Sequence, residues 1–123
     1  MLQSFYKSDN KDFTLVQGDC IEVLRNLNFK FHTIFADPPY FLSNGGISVQ
    51  SGKMVSVNKG EWDKSKGFEH NHNFNKNWLE ACKEHLLDNG TIWVSGTFHN
   101  IFSVAQQMTM LGLHGKKQIL LRI

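Results

Sequence analysis

Hydrophobic positions along the chain follow two spacings, one typical of strands and one typical of helices. Short apolar runs predict four strands, at residues 13–17 (FTLVQ), 31–36 (FHTIFA), 91–96 (TIWVSG) and 118–123 (QILLRI). Apolar residues at helical spacing predict three helices, at residues 20–27 (CIEVLRNL), 73–90 (NFNKNWLEACKEHLLDNG) and 101–112 (IFSVAQQMTMLG). In the second helix Leu86 and Leu87 belong to the apolar side, and Asn89-Gly90 forms the stop. Asn100 is predicted to cap the third helix.

Strands and helices in alternation predict an α/β fold with a mostly parallel sheet, right-handed crossovers and helices on both faces. The segment 41–73 has no long periodicity and is predicted to be an irregular loop, functional or disordered. Three short polar stretches, 18–19, 37–40 and 96–100, follow predicted strands directly. Because ligands of such sheets bind beyond the carboxyl ends of the strands, these stretches predict one shared site.

The composition narrows the class of protein without naming a function. A chain of 123 residues with 41% hydrophobic residues is one folded domain at most. Its net charge of +2 neither favours nor disfavours nucleic-acid binding, so any basic surface must come from local clustering of basic residues. No run is long enough to cross a bilayer and the N-terminus does not resemble a signal peptide, which favours a cytoplasmic protein. Two widely separated cysteines, Cys20 and Cys82, are predicted to be free thiols.

The tetrapeptide Asp37-Pro38-Pro39-Tyr40 is the strongest chemical feature. Two prolines stiffen the backbone and end the strand, Asp37 adds a carboxylate acceptor, and Tyr40 adds a flat stacking surface. Such a group is suited to hold a planar ring that carries an amine, and its acceptors could draw the amine's lone pair out of conjugation with the ring. The alternative is structural, with the prolines merely ending a strand and Asp37 capping a neighbour.

In its sequence context this tetrapeptide resembles the catalytic motif of amino-methyltransferases that use S-adenosylmethionine. The stretches FADPPYFLSNGGIS (35–48), VSVNKGEWDKS (55–65) and NGTIWVSGTFHNIFSV (89–104) look like the DNA adenine-N6 methyltransferases of restriction systems that modify GATC. The resemblance runs from about Phe13 to about Leu120. It implies a partial Rossmann-like methyltransferase sheet, S-adenosylmethionine as cofactor and double-stranded DNA as substrate.

The resemblance also implies roles for single residues. The Asp37 carboxylate and the Pro38 carbonyl would hold the adenine N6, with Pro39 in the same rigid loop, and Tyr40 would stack on the flipped base. Asp19 and Cys20, together with Asp37, would contact the cofactor. For Asp19 the alternative is a helix N-cap.

Four lysines in the long loop are suited to contact DNA phosphates, and the alternative is a solvated loop. They are Lys53, Lys59, Lys64 and Lys66. Trp62 is predicted to anchor this loop by packing, and Gly45 and Gly46 to begin a mobile segment toward DNA. The spacing of His70 and His72, without Cys or acidic neighbours, makes a metal site improbable.

The chain departs from the resembled family in one respect, because no glycine-rich loop of the type Phe-x-Gly-x-Gly occurs in it. Residues 1–123 are therefore predicted to be the N-terminal catalytic portion of an enzyme with permuted motif order, without the target-recognition region and inactive alone. In the resembled family two further strands separate FTLVQ from HTIFA. We therefore expect the chain either to pair these two strands directly or to form a homo-oligomer through the unpaired edge. Two alternatives remain: a non-catalytic remnant that binds nucleic acid or dimerises, and a cytosine-N4 methyltransferase, which Asp37 in place of a serine disfavours.

Overall fold

The computed structural model describes residues 4–41, 47–56, 61–113 and 121–122. Strands and helices alternate along the chain in the order β1 (Ser4–Lys7), β2 (Thr14–Val16), α1 (Cys20–Arg25), β3 (Phe31–Ala36), β4 (Ile47–Gln50), β5 (Lys53–Ser56), a 3₁₀ turn (Glu61–Asp63), α2 (Phe68–Glu84), β6 (Leu86–Ser95), α3 (Ile101–Met110) and β7 (Leu121–Arg122). The predicted α/β fold is confirmed. Within these ranges no helix is both long and apolar enough to cross a membrane.

The central sheet has the strand order β3-β6-β7, and both of its strand pairs are parallel. Strand β2 lies outside this sheet and pairs antiparallel with β1. The two strands at 13–17 and 31–36 therefore do not pair directly in the described part of the chain, and the expectation of direct pairing is wrong. The other expectation, self-association through the side of β3 that faces away from β6, stays a prediction.

The buried core lies on one face of the β3–β6 pair. Ile92 and Val94 of β6 point into it, and Ile34 and Ala36 sit directly opposite them on β3. All three helices contribute to this cluster, chiefly through Trp78, Leu79 and Cys82 of α2 and Val104 and Met108 of α3, with Ile21 and Leu24 of α1 packed against it. Phe35 points to the opposite face and is 73% exposed. That helices cover this second face as well therefore stays a prediction.

The boundary between α2 and β6 corrects the sequence-based prediction. The helix ends at Glu84, and the chain turns at His85 into a strand that begins with Leu86. Leu86 lies opposite Phe31 and is buried, and the Phe31 amide donates to the His85 carbonyl at 2.7 Å. Asn89 and Gly90, predicted to stop a helix, lie instead in an irregular part of β6 between Leu86 and Thr91, where the register with β3 shifts.

The segment 41–73 contains more regular structure than predicted. Strands β4 and β5 form a hairpin whose two turn residues, Ser51 and Gly52, have φ values of 51° and 76°, as type I′ turns require. Helix α2 begins at Phe68, about one turn earlier than predicted. Trp62 is 62% exposed, so the prediction that it anchors the loop by packing is wrong. Gly45 and Gly46 lie outside the described residues.

Candidate active site at the carboxyl edge of the sheet

The loop that follows β3 places Asp37 beside the end of β6. The Tyr40 hydroxyl donates to Asp37 Oδ1 at 2.5 Å, and the Ser95 hydroxyl donates to the same oxygen. Tyr40 Oη and Ser95 Oγ are also within hydrogen-bond distance of each other, at 3.0 Å. The carboxylate is therefore held between the neighbouring strand ends, where the sequence predicts a ligand site.

The phenol of Tyr40 is kept in its protonated form. Burial raises its pKa above the ordinary value, and the hydrogen bond to Asp37 raises it further, whereas the bond with Ser95 acts in the opposite direction. A protonated phenol can donate a hydrogen bond to a carboxylate, but it cannot act as a base instead of the carboxylate. In this structure Tyr40 therefore occupies an acceptor oxygen of Asp37 that an amine would also seek.

A buried acid, Asp63, fixes the backbone of this loop. Its side chain is fully buried, and Oδ1 accepts from the backbone amides of both Tyr40 and Phe41 at 2.9 Å. A proline-rich loop has few amides to anchor it, so these two bonds decide where the Tyr40 backbone lies. Asp63 belongs to the 3₁₀ turn, which connects the distant segment before α2 to the site.

Asn100 holds the loop from the side of α3. It stands at the predicted N-cap position but makes no side-chain cap bond to the helix. Instead its Oδ1 accepts from the Thr97 amide at 2.8 Å, and its Nδ2 donates to the Pro39 carbonyl at 3.4 Å. Asn100 is therefore the N-cap residue of α3 as predicted, but its side chain links the helix to the proline loop and does not bond to the helix amides.

A cavity of about 400 Å³ opens between β2 and α1 on one side and β3 and α2 on the other. Its lining includes Cys20, Asp37 and Pro38 together with the apolar side chains of Ile34, Phe74 and Trp78. Cavities of this size with apolar walls and a few polar groups are typical small-molecule sites. The structure thus brings Cys20, Asp37, Pro38 and Pro39 together around one cavity, as predicted for a shared site.

Asp19 caps helix α1. Its Oδ1 accepts from the backbone amides of Ile21 at 3.0 Å and Glu22 at 3.1 Å. The N-cap alternative for this residue is confirmed, and a contact with a cofactor stays a prediction.

The two cysteines differ in environment. Cys82 is buried in the core, and burial, followed by the proximity of Cys20, raises its pKa to about 12. Cys20 is exposed at the cavity, and its pKa is raised mainly by partial desolvation and then by the Asp19 carboxylate. Both are free thiols, as predicted.

We expect iodoacetamide to modify Cys20 well before Cys82 in the native chain. The thiolate is the reactive form. Cys82 is inaccessible, and because its pKa is raised to about 12, its thiol stays protonated except in strongly alkaline solution. Peptide mass spectrometry at several pH values should show Cys20 alkylation that rises with pH, while Cys82 reacts only after unfolding in guanidinium. Equal rates for the two thiols in the native chain would contradict the buried position of Cys82.

The predicted phosphate-binding lysines are placed only in part. Lys53, Lys64 and Lys66 are exposed, and Lys59 lies outside the described residues. Lys66 lies just before α2 and shares a shallow surface depression with Phe68 and His70. Groups of three or more metal-ligating side chains do not occur in the part of the chain that the structure describes.

The sequence predicts the stretch 96–100, and with it Asn100, as part of the site, but it does not single out Asp63 or Ser95. Both of these residues lie within the stretches that carry the family resemblance, which was the available signal. The residues of the proline loop that Asp63, Ser95 and Asn100 contact are 22 to 61 positions away along the chain, so no local spacing indicates these contacts.

Comparison with known proteins points to one family. A family model described as DNA methylase matches residues 31–120. The Type II methyltransferase M2.MboI of Moraxella bovis is 46% identical over 106 residues, which are 85% of this chain and 39% of that protein. M2.DpnII of Streptococcus pneumoniae is 48% identical over 87% of the chain, and M2.LlaDCHI of Lactococcus lactis subsp. cremoris is 45% identical over 91%. These matches cover 40% and 41% of those two relatives, so the chain spans about two fifths of the length of each of the three.

Proposed function

Since the chain belongs to the DNA methylase family, we propose that it supplies the catalytic portion of an S-adenosylmethionine-dependent DNA adenine-N6 methyltransferase. The observation that carries the proposal is the fixed position of Asp37 in the lining of the cavity. Its carboxylate is held by the hydroxyls of Tyr40 and Ser95, and the loop backbone is held by Asp63. A rigid acceptor beside an apolar cavity suits an amine on a planar ring.

The cavity fits a cofactor with a heterocyclic base. It has mostly apolar walls, a volume of about 400 Å³, and a few polar groups in its lining, Cys20 and Asp37 among them. S-adenosylmethionine, when bound, supplies an electrophilic methyl group. Cys20 and Asp37 would then line its site, and Asp19, which caps helix α1 next to Cys20, would contact it as the resemblance implies.

The residues of the proline loop would do the positioning. An adenine amine entering the site would replace the Tyr40 hydroxyl at Asp37 Oδ1, and the released Tyr40 ring would stack on the base. The Pro38 carbonyl would accept the second amine hydrogen. With both hydrogens held by Asp37 and Pro38, the N6 lone pair would be drawn out of conjugation with the ring, ready for the methyl group that S-adenosylmethionine would supply directly, without a covalent enzyme intermediate.

The proposed substrate is double-stranded DNA with the target adenine flipped out of the stack. The four loop lysines, Lys53, Lys59, Lys64 and Lys66, would contact phosphates. GATC as the modified sequence follows from the resemblance, and the cytoplasmic location expected from the sequence belongs to the same proposal.

One observation favours a second candidate, a remnant that binds or dimerises without catalysis. Strand β2 and strand β3 face an open cavity and do not pair with each other in the described ranges. A site open on this side holds a cofactor less firmly than a closed one. Calorimetric titration with S-adenosylmethionine separates the two candidates, because a remnant should show no binding.

A chimera tests the proposed catalytic role. Residues 13–120 would replace the matching segment of M2.DpnII, which is 48% identical over 108 residues. We expect the purified chimera to form N6-methyladenine in duplex DNA, measured by mass spectrometry of digested nucleosides. The 123-residue chain alone is the control, and we expect no transfer from it. A folded chimera that binds S-adenosylmethionine but makes no N6-methyladenine would contradict the proposal.

A further inference from the structure

An exposed group of aromatic side chains lies beside the proline loop. Phe68, Phe98 and Phe102 are 71%, 70% and 65% exposed, and together with His72 they form what we call the aromatic patch. The Phe98 and Phe102 rings meet edge to face at 5.4 Å, and Phe68 stacks on His72 at 5.4 Å with 13° between the planes. Contiguous exposed apolar side chains of this kind mark interaction sites.

The patch surrounds a cavity of about 160 Å³ between the N-terminal ends of α2 and α3. Phe41, Phe68, Phe98 and Phe102 form its aromatic walls, and Asn75 and Ser103 contribute polar atoms. Those polar atoms bond to one another: Asn75 Nδ2 donates to Ser103 Oγ at 2.9 Å, and Asn75 Oδ1 accepts from Trp78 Nε1 at 3.0 Å. The side chains of Asn75 and Ser103 are thus engaged within the protein, and four phenylalanine rings supply most of the surface that the cavity offers to a ligand.

The aromatic patch is continuous with the candidate active site. Phe41 directly follows Tyr40 and shares its anchor on Asp63, and Asn100, next to the cavity, donates to the Pro39 carbonyl. Next to Phe68, a shallow depression is lined by exposed Lys66 and also by Glu69. A ligand that extends from the Asp37 site across the aromatic patch would thus meet a stacking surface, with the Lys66 ammonium beside Phe68 available to a phosphate.

We propose that the aromatic patch stacks on the DNA base next to the flipped adenine in the same strand. This inference rests on the proposed function. A nucleic-acid strand has the required order of groups, with a base in the Asp37 site, an adjacent base on the rings and a phosphate near Lys66. Stacking on aromatic side chains tolerates any base, which agrees with a cavity that is lined by four phenylalanine rings and whose Asn75 and Ser103 side chains already bond to each other.

The test is DNA binding by the 123-residue chain, measured by fluorescence polarisation with labelled single-stranded and duplex oligonucleotides that contain GATC. We expect the double variant Phe98→Ala/Phe102→Ala to bind at least about fivefold more weakly, as the loss of one base-stacking contact implies. Met110→Ala, an equally exposed apolar residue at the other end of α3, is the matched control and should bind as the original chain does. Circular dichroism establishes that each variant is folded.

A second readout locates the contact. The thymine after the GATC adenine is replaced by 5-iodouracil, which cross-links to stacked aromatic rings under ultraviolet light, and the peptide is identified by mass spectrometry. We expect the cross-link at Phe98, Phe102 or Phe68, and we expect it to persist in Asp37→Ala.

The outcomes separate this inference from the proposed function. DNA binding that the double variant leaves unchanged, or a cross-link elsewhere, would overturn the role of the aromatic patch alone. Complete absence of DNA binding by the original chain would also overturn the role of the aromatic patch, whereas the proposed function is tested separately by methylation in the chimera. If light scattering shows that the double variant changes an oligomer into a monomer with unaltered DNA affinity, the occupant of the patch is a second copy of the chain, and the inference is wrong.

Discussion

Asp37→Ala in the M2.DpnII chimera is expected to lower the rate of adenine methylation by about 10³-fold, the range expected when one positioned polar group that acts on the reacting atom is removed. The structure gives the physical reason. Asp37 Oδ1 is the point where the hydroxyls of Tyr40 and Ser95 converge, so an amine placed there enters a preorganised acceptor. Alanine removes the acceptor and leaves those two hydroxyls to bond to each other. Single-turnover kinetics with bound DNA measures the chemical step directly.

The matched control for Asp37→Ala is Asp88→Ala, which removes an exposed acid from the irregular part of β6. Its methylation rate should stay within about twofold of the parent, as expected for a surface position without a contact to the site. Tyr40→Phe separates the hydroxyl from the ring, and we expect it to lose far less activity than Asp37→Ala, because the stacking surface remains. If Asp37→Ala retains a tenth or more of the parent rate, Asp37 does not hold the amine.

The parts of the fold that the sequence predicts correctly depend on local signals. Residues 31–36 form an apolar run that is followed by Asp37 and two prolines, which predicts strand β3, and the observed strand has these same limits. The prolines also place Asp37 at a strand end, so the sequence alone predicts the location of the candidate site. Cys20 lies at the same cavity because α1 begins at the carboxyl end of β2.

The incorrect predictions occur where long-range contacts decide between two local possibilities. Leu86 and Leu87 fit the apolar side of a helix and equally well a buried strand. The contact of Phe31 with the His85 carbonyl and Leu86 selects the strand. Asn100 is of a residue type that often caps helices through its side chain, but here that side chain bonds to the Thr97 amide and the Pro39 carbonyl. Neither competitor is visible in a short window of sequence.

Asp63 is the clearest case, and it leads to a prediction about stability. We expect Asp63→Ala to reduce the free energy of unfolding of the chain by about 3 kcal/mol, because a hydrogen bond to a charged acceptor contributes roughly 1.5–3 kcal/mol and two such bonds are lost. The amides of Tyr40 and Phe41 would be left without the acceptor at 2.9 Å that now binds both. Urea titration followed by circular dichroism measures the change.

Two controls show whether the loss comes from these two bonds. Asp63→Asn keeps an oxygen in place to accept from both amides, so we expect it to lose clearly less stability than Asp63→Ala. Asp9→Ala removes an exposed acid near the β1–β2 turn and should change the free energy of unfolding by less than about 0.5 kcal/mol. If Asp63→Ala is also within that range, the two amide bonds are not what anchors the loop. If the loss is as large as expected, a residue 26 positions from Asp37 in the sequence holds the backbone that carries the acceptor.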